Sequence, residues 1–477
     1  MDQVNSPLTK QKRTLASVWA VVVWAAMVAH SARAGGASPD PVPLTFTTAD
    51  RILVLAPHPD DESIACGGVL QQATVLGLPV RVVFFTYGDN NEWSFAVYRK
   101  HAVLEPSAVR RMGLLRHDEA VAATARLGVP ADRLIFLGYP DFRTLRLWTD
   151  HWGERPPLES MLTRVTNVPY ANAYRPGAPY TGESVLADLT AVLREFRPTR
   201  VFVPHPADFN PDHRALYLFT RVALWDLAAE GLRPALYPYL THFPKWPAPR
   251  VDDPLLTLNP PLALAESDAW CALALTDQQR ALKAQAIRLH KTQFAYSGRY
   301  MGSFVRANEL FGDAPEVSLS LQSPQVRDLQ VGAPGEGVDR AAPSQLTEEE
   351  RGRFVGIEWR RMRADAQALT VTLALSRPLG EAVGASVYAC GYRVDVPFAR
   401  MPKVHIQVGR LEMRVFDTGR VLPHDGNVTV RRRAHEMDVV VPWETLCTPQ
   451  RILISAQTYL GDIPLDWADW RIVRVER

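Results

Sequence analysis

The chain has 477 residues, 47% of them hydrophobic, and 53 Lys and Arg against 51 Asp and Glu give a formal net charge of +2. That length exceeds what one ordinary hydrophobic core serves, so two domains with tails are expected. The balanced charge offers no basic field for nucleic acid. The four cysteines, Cys66, Cys271, Cys390 and Cys447, stand far apart with no Cys-x-x-Cys pair to mark a zinc site.

The amino terminus reads as an export signal. Lys10, Lys12 and Arg13 precede the apolar run 15–29, and Ala32-Arg33-Ala34 before Gly35 offers a small-residue cleavage site. The run is shorter than the roughly 20 residues of a comfortable span. Residues 1–34 are therefore expected to be a cleaved signal peptide, with membrane anchoring only if the segment is retained. The protein is then periplasmic or extracellular. In such a compartment Cys390 with Cys447 is the one disulfide to consider, whereas Cys66, in the apolar start of a helix, is expected to be a buried free thiol.

Residues 48–313 alternate strand and helix. Strand runs lie at 52–56, 80–86, 134–137 and 201–204, with helical patterns near 65–76, 108–127, 184–196, 215–229 and 277–290. This pattern predicts an α/β domain, a Rossmann-like, mostly parallel sheet with helices on both faces. The stretch 142–182 is rich in Pro, Tyr and Trp without clear periodicity and is expected to overhang the crevice as a substrate rim.

Two strand exits carry the chemistry. The apolar run 52–56 ends in Pro57-His58-Pro59-Asp60-Asp61-Glu62, a histidine and three carboxylates at the carboxyl end of a strand, where open α/β sheets place binding crevices. The run 201–204 leads to His205-Pro206-Ala207-Asp208-Phe209-Asn210-Pro211-Asp212-His213. Pro211 suits the first helical position and Asn210 the N-cap, which puts His213 in the first turn. His58, Asp61 and His213 would give one divalent ion three protein ligands and an open position, the arrangement of catalytic zinc. Asp60 stands beside them as general base.

Beyond residue 313 the character changes. Residues 314–345 read as a Pro- and Gly-rich linker with one embedded strand. In 346–477, Leu369, Val371, Leu373 and Leu375 alternate with Thr370 and Thr372, and 404–408 and 452–456 repeat the habit. Many short strands predict an all-β sandwich, with His424-Asp425-Gly426-Asn427 as a hairpin turn. Trp443, Trp467 and Trp470 are either a sugar platform or core.

Taken together, the two motifs resemble the PIG-L/LmbE family of zinc-dependent de-N-acetylases over roughly residues 48–313. Thr86-Tyr87-Gly88-Asp89, Arg116-His117-Asp118-Glu119, Leu127-Gly128-Val129, Leu137-Gly138-Tyr139-Pro140-Asp141 and Lys283 through His290 and Gln293 follow in the family's order. The resemblance implies Zn²⁺ on His58, Asp61 and His213, Asp60 as base, and Asp212 and the residue at 210 in the catalytic set. It also implies an N-acetylated amino sugar, in an envelope or extracellular glycan, as substrate. Arg116, Trp93 and His242 are the substrate-binding candidates. One departure stands out: the family's histidine that supports the oxyanion and protonates the leaving amine is Asn210 here. An amide can donate to an oxyanion but cannot act as a general acid, so either Asp60 returns the proton, or His242 does, or activity is low. The sandwich loosely resembles carbohydrate-binding and DOMON-like domains.

Three other readings compete. One is a non-catalytic glycan-binding protein on a degenerate deacetylase scaffold, with Asn210 marking the decay. A nucleotide-binding enzyme lacks its Gly-x-Gly-x-x-Gly turn, since Pro57-His58-Pro59 follows the first strand. Non-haem iron oxygenases share the two-histidine, one-carboxylate set but usually carry it on a β-barrel.

Overall fold

The computed structural model describes residues 40–90, 105–321, 327–329 and 346–476; the expected signal peptide, Trp93 and most of 314–345 lie outside the described residues. After the short β1 (Val42–Pro43), the apolar run Ile52–Ala56 forms β2, with all five side chains fully buried. It is flanked by β3 (Val80–Phe84), β4 (Leu134–Phe136), β5 (Arg200–Pro204) and β6 (Ala235–Tyr239) in the order β4-β3-β2-β5-β6, and every pairing is parallel. A strand covered on both faces has no polar side to show, which is why β2 reads as an unbroken apolar run.

Helix α1 (Asp61–Val75) follows β2 and α2 (Pro106–Arg126) follows β3. Helices α3 (Thr144–Asp150) and α4 (Gly182–Phe196) precede β5, and α5 (Pro211–Leu227) follows it. Right-handed crossovers running outward to β4 and then back to β5 put these two groups of helices on opposite faces. After β7 (Ala269–Ala274), helix α6 (Asp277–Leu289) joins α1 and α2, and α7 (Lys291–Gly302) leads to β8 (Asn308–Asp313). Strands β1, β7 and β8 make a separate three-stranded sheet. The chain changes direction between β2 and β5, so their carboxyl ends splay and open a crevice there. Both motifs exit at that point.

The second region is a sandwich, as expected. Strand β9 (Val317–Ser320) and β10 (Arg327–Leu329) lie in the stretch read as linker, and α8 (Glu348–Gly352) follows. The remaining strands are β11 (Ile357–Ala364), β12 (Ala368–Leu375), β13 (Val383–Tyr392), β14 (Lys403–Val408), β15 (Met413–Asp417), β16 (Arg420–Val421), β17 (Thr429–Arg432), β18 (Glu436–Pro442), β19 (Arg451–Leu460) and β20 (Ile463–Glu476). They form a five-stranded sheet, β10-β11-β12-β18-β17, and a seven-stranded one, β16-β15-β14-β13-β19-β20-β9.

Two local expectations are corrected. The 424–427 segment is not a hairpin turn, because β16 and β17, on either side of it, belong to different sheets. The tight hairpin lies just before, where Thr418 (φ 50°) and Gly419 (φ 71°) join β15 to β16, the two positive φ values that a type I′ turn needs. No disulfide joins Cys390 to Cys447: the first is a buried free thiol and the second an exposed one, and Cys66 is buried and free as expected.

The central strands β13 and β19 of the seven-stranded sheet are buried on both sides over most of their length. Its Ala385, Val387, Ile452 and Ile454 face the five-stranded sheet. The alternate residues Cys390, Tyr392, Leu453, Trp470 and Ile472 join the core of the α/β region. Trp148 and Trp152, in the stretch expected to be a substrate rim, are instead fully buried in this junction. Trp148 stacks on Phe398 with ring centroids 5.0 Å apart, and Lys403 Nζ lies 4.3 Å from the ring centres of both Trp152 and Phe398. Asp268 adds a polar tie, 2.9 Å from His205 Nε2 and 3.2 Å from Arg471 Nη1 of β20.

Because the core runs through the junction, the two regions should unfold together. Phe398→Ala is expected to cost about 3–5 kcal/mol of stability, with the α/β region and the sandwich lost in one transition. Chemical denaturation followed by far- and near-UV circular dichroism checks both statements.

Candidate active site

The crevice is built on a turn that is held under strain. Between β2 and α1 the chain passes through Asp60 at φ 142°, ψ −32°, a region that non-glycine residues avoid and that persists only when the surroundings fix it. Here they do. Thr86 donates through its N–H and Oγ1 to the Pro57 carbonyl, and Arg116 Nη2 donates to the Pro59 carbonyl at 2.8 Å. Arg116 Nη1 donates to the Gly88 carbonyl at 2.7 Å. A Cβ at Gly88, where φ is +65°, would come within 2.2 Å of that guanidinium, so glycine is required for the arginine to pass.

Three donor atoms converge above the turn. His58 Nδ1 lies 3.2 Å from Asp61 Oδ2, His213 Nε2 lies 3.2 Å from the same oxygen, and the two ring nitrogens are 3.3 Å apart. A tetrahedral ion with bonds of about 2.0–2.1 Å has ligand atoms about 3.3–3.4 Å from one another, so this triangle has the size that one such ion requires. His213 stands in the first turn of α5, as expected. Asn210 caps that helix by accepting from the Asp212 N–H at 2.8 Å.

Each histidine is gripped by its other nitrogen. Asp208 Oδ2 lies 3.2 Å from His213 Nδ1 and accepts from the Thr241 and His242 backbone N–H groups, both at 3.0 Å. His58 Nε2 meets Asp141 Oδ1 at 3.1 Å and Asp212 Oδ2 at 3.2 Å. Asp212 accepts in turn from the Phe142 and Thr144 N–H groups and from Thr144 Oγ1. Thr241 Oγ1 donates to Asp61 Oδ1 at 3.1 Å. Such outer carboxylates fix the tautomer and orientation of ligating imidazoles. His58, Asp141 and Asp212 also form a metal-sized cluster, but both Asp212 oxygens already accept from Phe142 and Thr144, which favours the triangle.

The electrostatics fit a cation. Burial alone would push the imidazoles down, yet Asp208 and Asp61 hold His213 up at about 9, and Asp141, Asp212 and Asp61 hold His58 well above its usual range. A field that keeps protons on two buried histidines will equally hold a metal ion in their place. Burial raises Asp61 and Asp208, but the facing histidines outweigh it, so Asp61 falls well below the carboxylate range and Asp208 to about 2. Asp60 goes the other way: burial and the charge of Asp61 push it up to about 7, with Arg116 opposing at 3.4 Å.

The remaining expected residues fall as follows. Arg116 is buried and bonded to backbone, and Glu119 accepts from Thr292, so these two are not a surface ion pair. Asp212 touches a histidine rather than the open side of the site. His242 packs edge-on to His213 at 4.9 Å and stacks on Tyr300. Burial and the facing His213 bring it down to about 4, against the pull of Asp208. It lines a cleft of ≈ 670 Å³ with Phe209, Phe243 and Tyr300. Trp443 is in the sandwich core and Trp470 in the junction, while Trp467 lies against Phe209 and Arg214, so the three form no common platform.

Sequence reasoning missed Asp141, Asp208 and Thr241. Asp141 stood in the sequence only as the end of a family motif and Asp208 only as part of the second strand exit, neither with a role at the site. The available signal was position: each follows a parallel strand on the side where the histidines emerge. Asp208→Asn removes the negative charge facing His213 Nδ1 and is expected to weaken metal binding about 10–100-fold while the fold persists. Competition with a chelating dye measures this.

Residues 53–224 match the family model of PIG-L, GlcNAc-PI de-N-acetylase. The 1D-myo-inositol 2-acetamido-2-deoxy-alpha-D-glucopyranoside deacetylase of Mycobacterium sp. (strain KMS) is 29% identical over 184 residues, 38% of this chain and 52% of that protein. The protein of the same name from Mycolicibacterium vanbaalenii is 25% identical over 261 residues, covering 52% of this chain and 82% of its own length. The chain thus spans about half the length of the first of these relatives. A solved N,N'-diacetylchitobiose deacetylase from Pyrococcus horikoshii is 20% identical over 63% of this chain and 93% of its own, with a TM-score of 0.35, too low to add weight. On the family match and the order of its motifs, the α/β region of this chain is similar to the PIG-L family over residues 53–224.

Proposed function

We propose that the chain is a divalent-metal-dependent N-deacetylase that releases acetate from an N-acetylated amino sugar in an exported glycan or glycoconjugate. The observation that carries the reading is the triangle of His58 Nδ1, Asp61 Oδ2 and His213 Nε2, at 3.2–3.3 Å, with Asp60 beside it. Zn²⁺ suits two imidazoles and one carboxylate, and when bound it supplies Lewis acidity and makes water a nucleophile near neutral pH. The export part of the proposal rests on the amino-terminal pattern 10–34.

The chain's own groups then divide the work. Asp60, pushed up towards neutrality, takes the proton of the attacking water. As the carbonyl carbon becomes tetrahedral, its oxygen gains charge. Asn210 spends its Oδ1 on the Asp212 N–H, which leaves its NH₂ as a donor for that oxygen. When the C–N bond breaks, Asp60 returns the proton to the leaving amine, since His242, held near 4, is neutral at physiological pH. Asp141, Asp208 and Asp212 keep the two imidazoles aimed, and Arg116 pins the turn carrying Asp60.

The glycan-binding alternative draws on Asn210 alone, and the retention of Asp60 with its strained turn argues against it, because a binding protein has no use for a base. Acetate release from N-acetylglucosamine and its chitooligosaccharides with added Zn²⁺ decides between the two. Asp60→Asn is expected to keep its metal and lose about 10²–10⁴-fold in turnover. A metal-loaded wild-type protein that binds these sugars without releasing acetate would favour the alternative.

A further inference from the structure

A second cavity, of ≈ 520 Å³, lies between the α/β region and the sandwich, beside the metal-binding triangle. Phe142 and Pro211 line it. Phe142 stacks on the His58 ring at 6.1 Å and its N–H donates to Asp212, while Pro211 adjoins Asn210. Phe142 is held at φ 58° and is 46% exposed, a strained and solvent-facing aromatic at the point where the cavity meets the site. Trp467 stands between this cavity and the His242 cleft, with Phe209 on one side and the Arg214 guanidinium, 5.0 Å away, on the other.

The sandwich wall of the cavity departs from the rest of its sheet. Toward the junction, the face of β13, β19 and β20 that meets the α/β region is apolar, with Cys390, Tyr392, Leu453, Trp470 and Ile472. Over the cavity the same face carries a grid of polar side chains set by the register. Ser386 pairs with Gln407 on one side and Gln457 on the other, and Tyr388 with His405 and Ser455. His405 stacks on Tyr388 at 4.2 Å, and Gln457 Nε2 donates to the Tyr388 hydroxyl at 3.0 Å. A sheet face that needed only to dock would continue its apolar pattern; this one stays polar, with Ser386 bonded to His405 and Ser455 to the Ala468 carbonyl. On the opposite wall, Arg155 Nε and Arg214 Nε are buried donors without a hydrogen-bond partner among the described residues. Flat aromatic faces, side-chain amides and hydroxyls make up a surface for a hydroxyl-rich ring, and cavities of this size between domains are common ligand sites.

We infer that this cavity binds the sugar unit adjoining the acetamido sugar at the metal site, so that the substrate is a saccharide of two or more units clasped between the two regions. This rests on the deacetylase reading for what occupies the first position, but the cavity can be tested without turnover. Calorimetric titration of Asp60→Asn protein with N-acetylglucosamine and its chitooligosaccharides of two to four units should show binding that tightens by about tenfold or more from one unit to two. Adding Gln457→Ala or Gln407→Ala to that protein should remove most of the gain, since each deletes a hydrogen-bonding group from the grid. In the catalytically intact protein, the ratio of kcat/KM for the disaccharide to that for the monosaccharide should fall in the same variants. Length-dependent binding without any acetate release would uphold the cavity and sink the deacetylase reading. Acetate release with equal handling of one and two units, or with a length preference untouched in both glutamine variants, would overturn the cavity assignment. No binding of any of these saccharides would overturn it as well.

Discussion

Asp212 is the residue on which the site's geometry hangs. It leaves the first turn of α5, accepts two backbone N–H groups and a hydroxyl from the loop after β4, and faces the far nitrogen of His58 from the loop after β2. One buried carboxylate thus ties together three separate strand exits. Removing its charge would leave those donors and the imidazole unpartnered in a low-dielectric interior, where unmet polar groups are most costly. Asp208 does the corresponding work for His213. The outer carboxylates make the inner triangle a fixed object, so the ligand atoms need little reorganisation to receive an ion.

The sandwich belongs to the same construction. Its seven-stranded sheet closes over Trp148, Trp152 and α5, the helix that begins with Asn210, Asp212 and His213. Docking therefore buttresses the site from behind. It also sets a polar wall beside the crevice, because the sheet extends beyond the apolar contact. A rigid junction with a shared core suits a clasp whose two walls must keep a fixed spacing.

Much of this was legible in the sequence, for physical reasons. The run 52–56 had to be a doubly covered strand, and Asn210-Pro211 had to start a helix, so His58, Asp61 and His213 could be placed together before any coordinates. Asp141 and Asp208 were harder, because a carboxylate at a strand exit looks the same whether it caps a helix or grips an imidazole; only the distance to the ring tells them apart. Strand β6 was missed because Pro238 breaks its pattern, which an edge strand tolerates. Trp148 and Trp152 gave the impression of a substrate rim because their partners, Phe398 and Trp470, lie more than 240 residues away in sequence and periodicity carries no record of such contacts.

The central claim is that His58, Asp61 and His213 together hold one divalent ion. Metal analysis of Zn²⁺-loaded, desalted protein tests it directly. About one ion per chain is expected in the wild type, with the ion lost from His58→Ala and His213→Ala proteins whose circular dichroism is unchanged. A full complement of metal in His213→Ala, or none in the wild type, would contradict it.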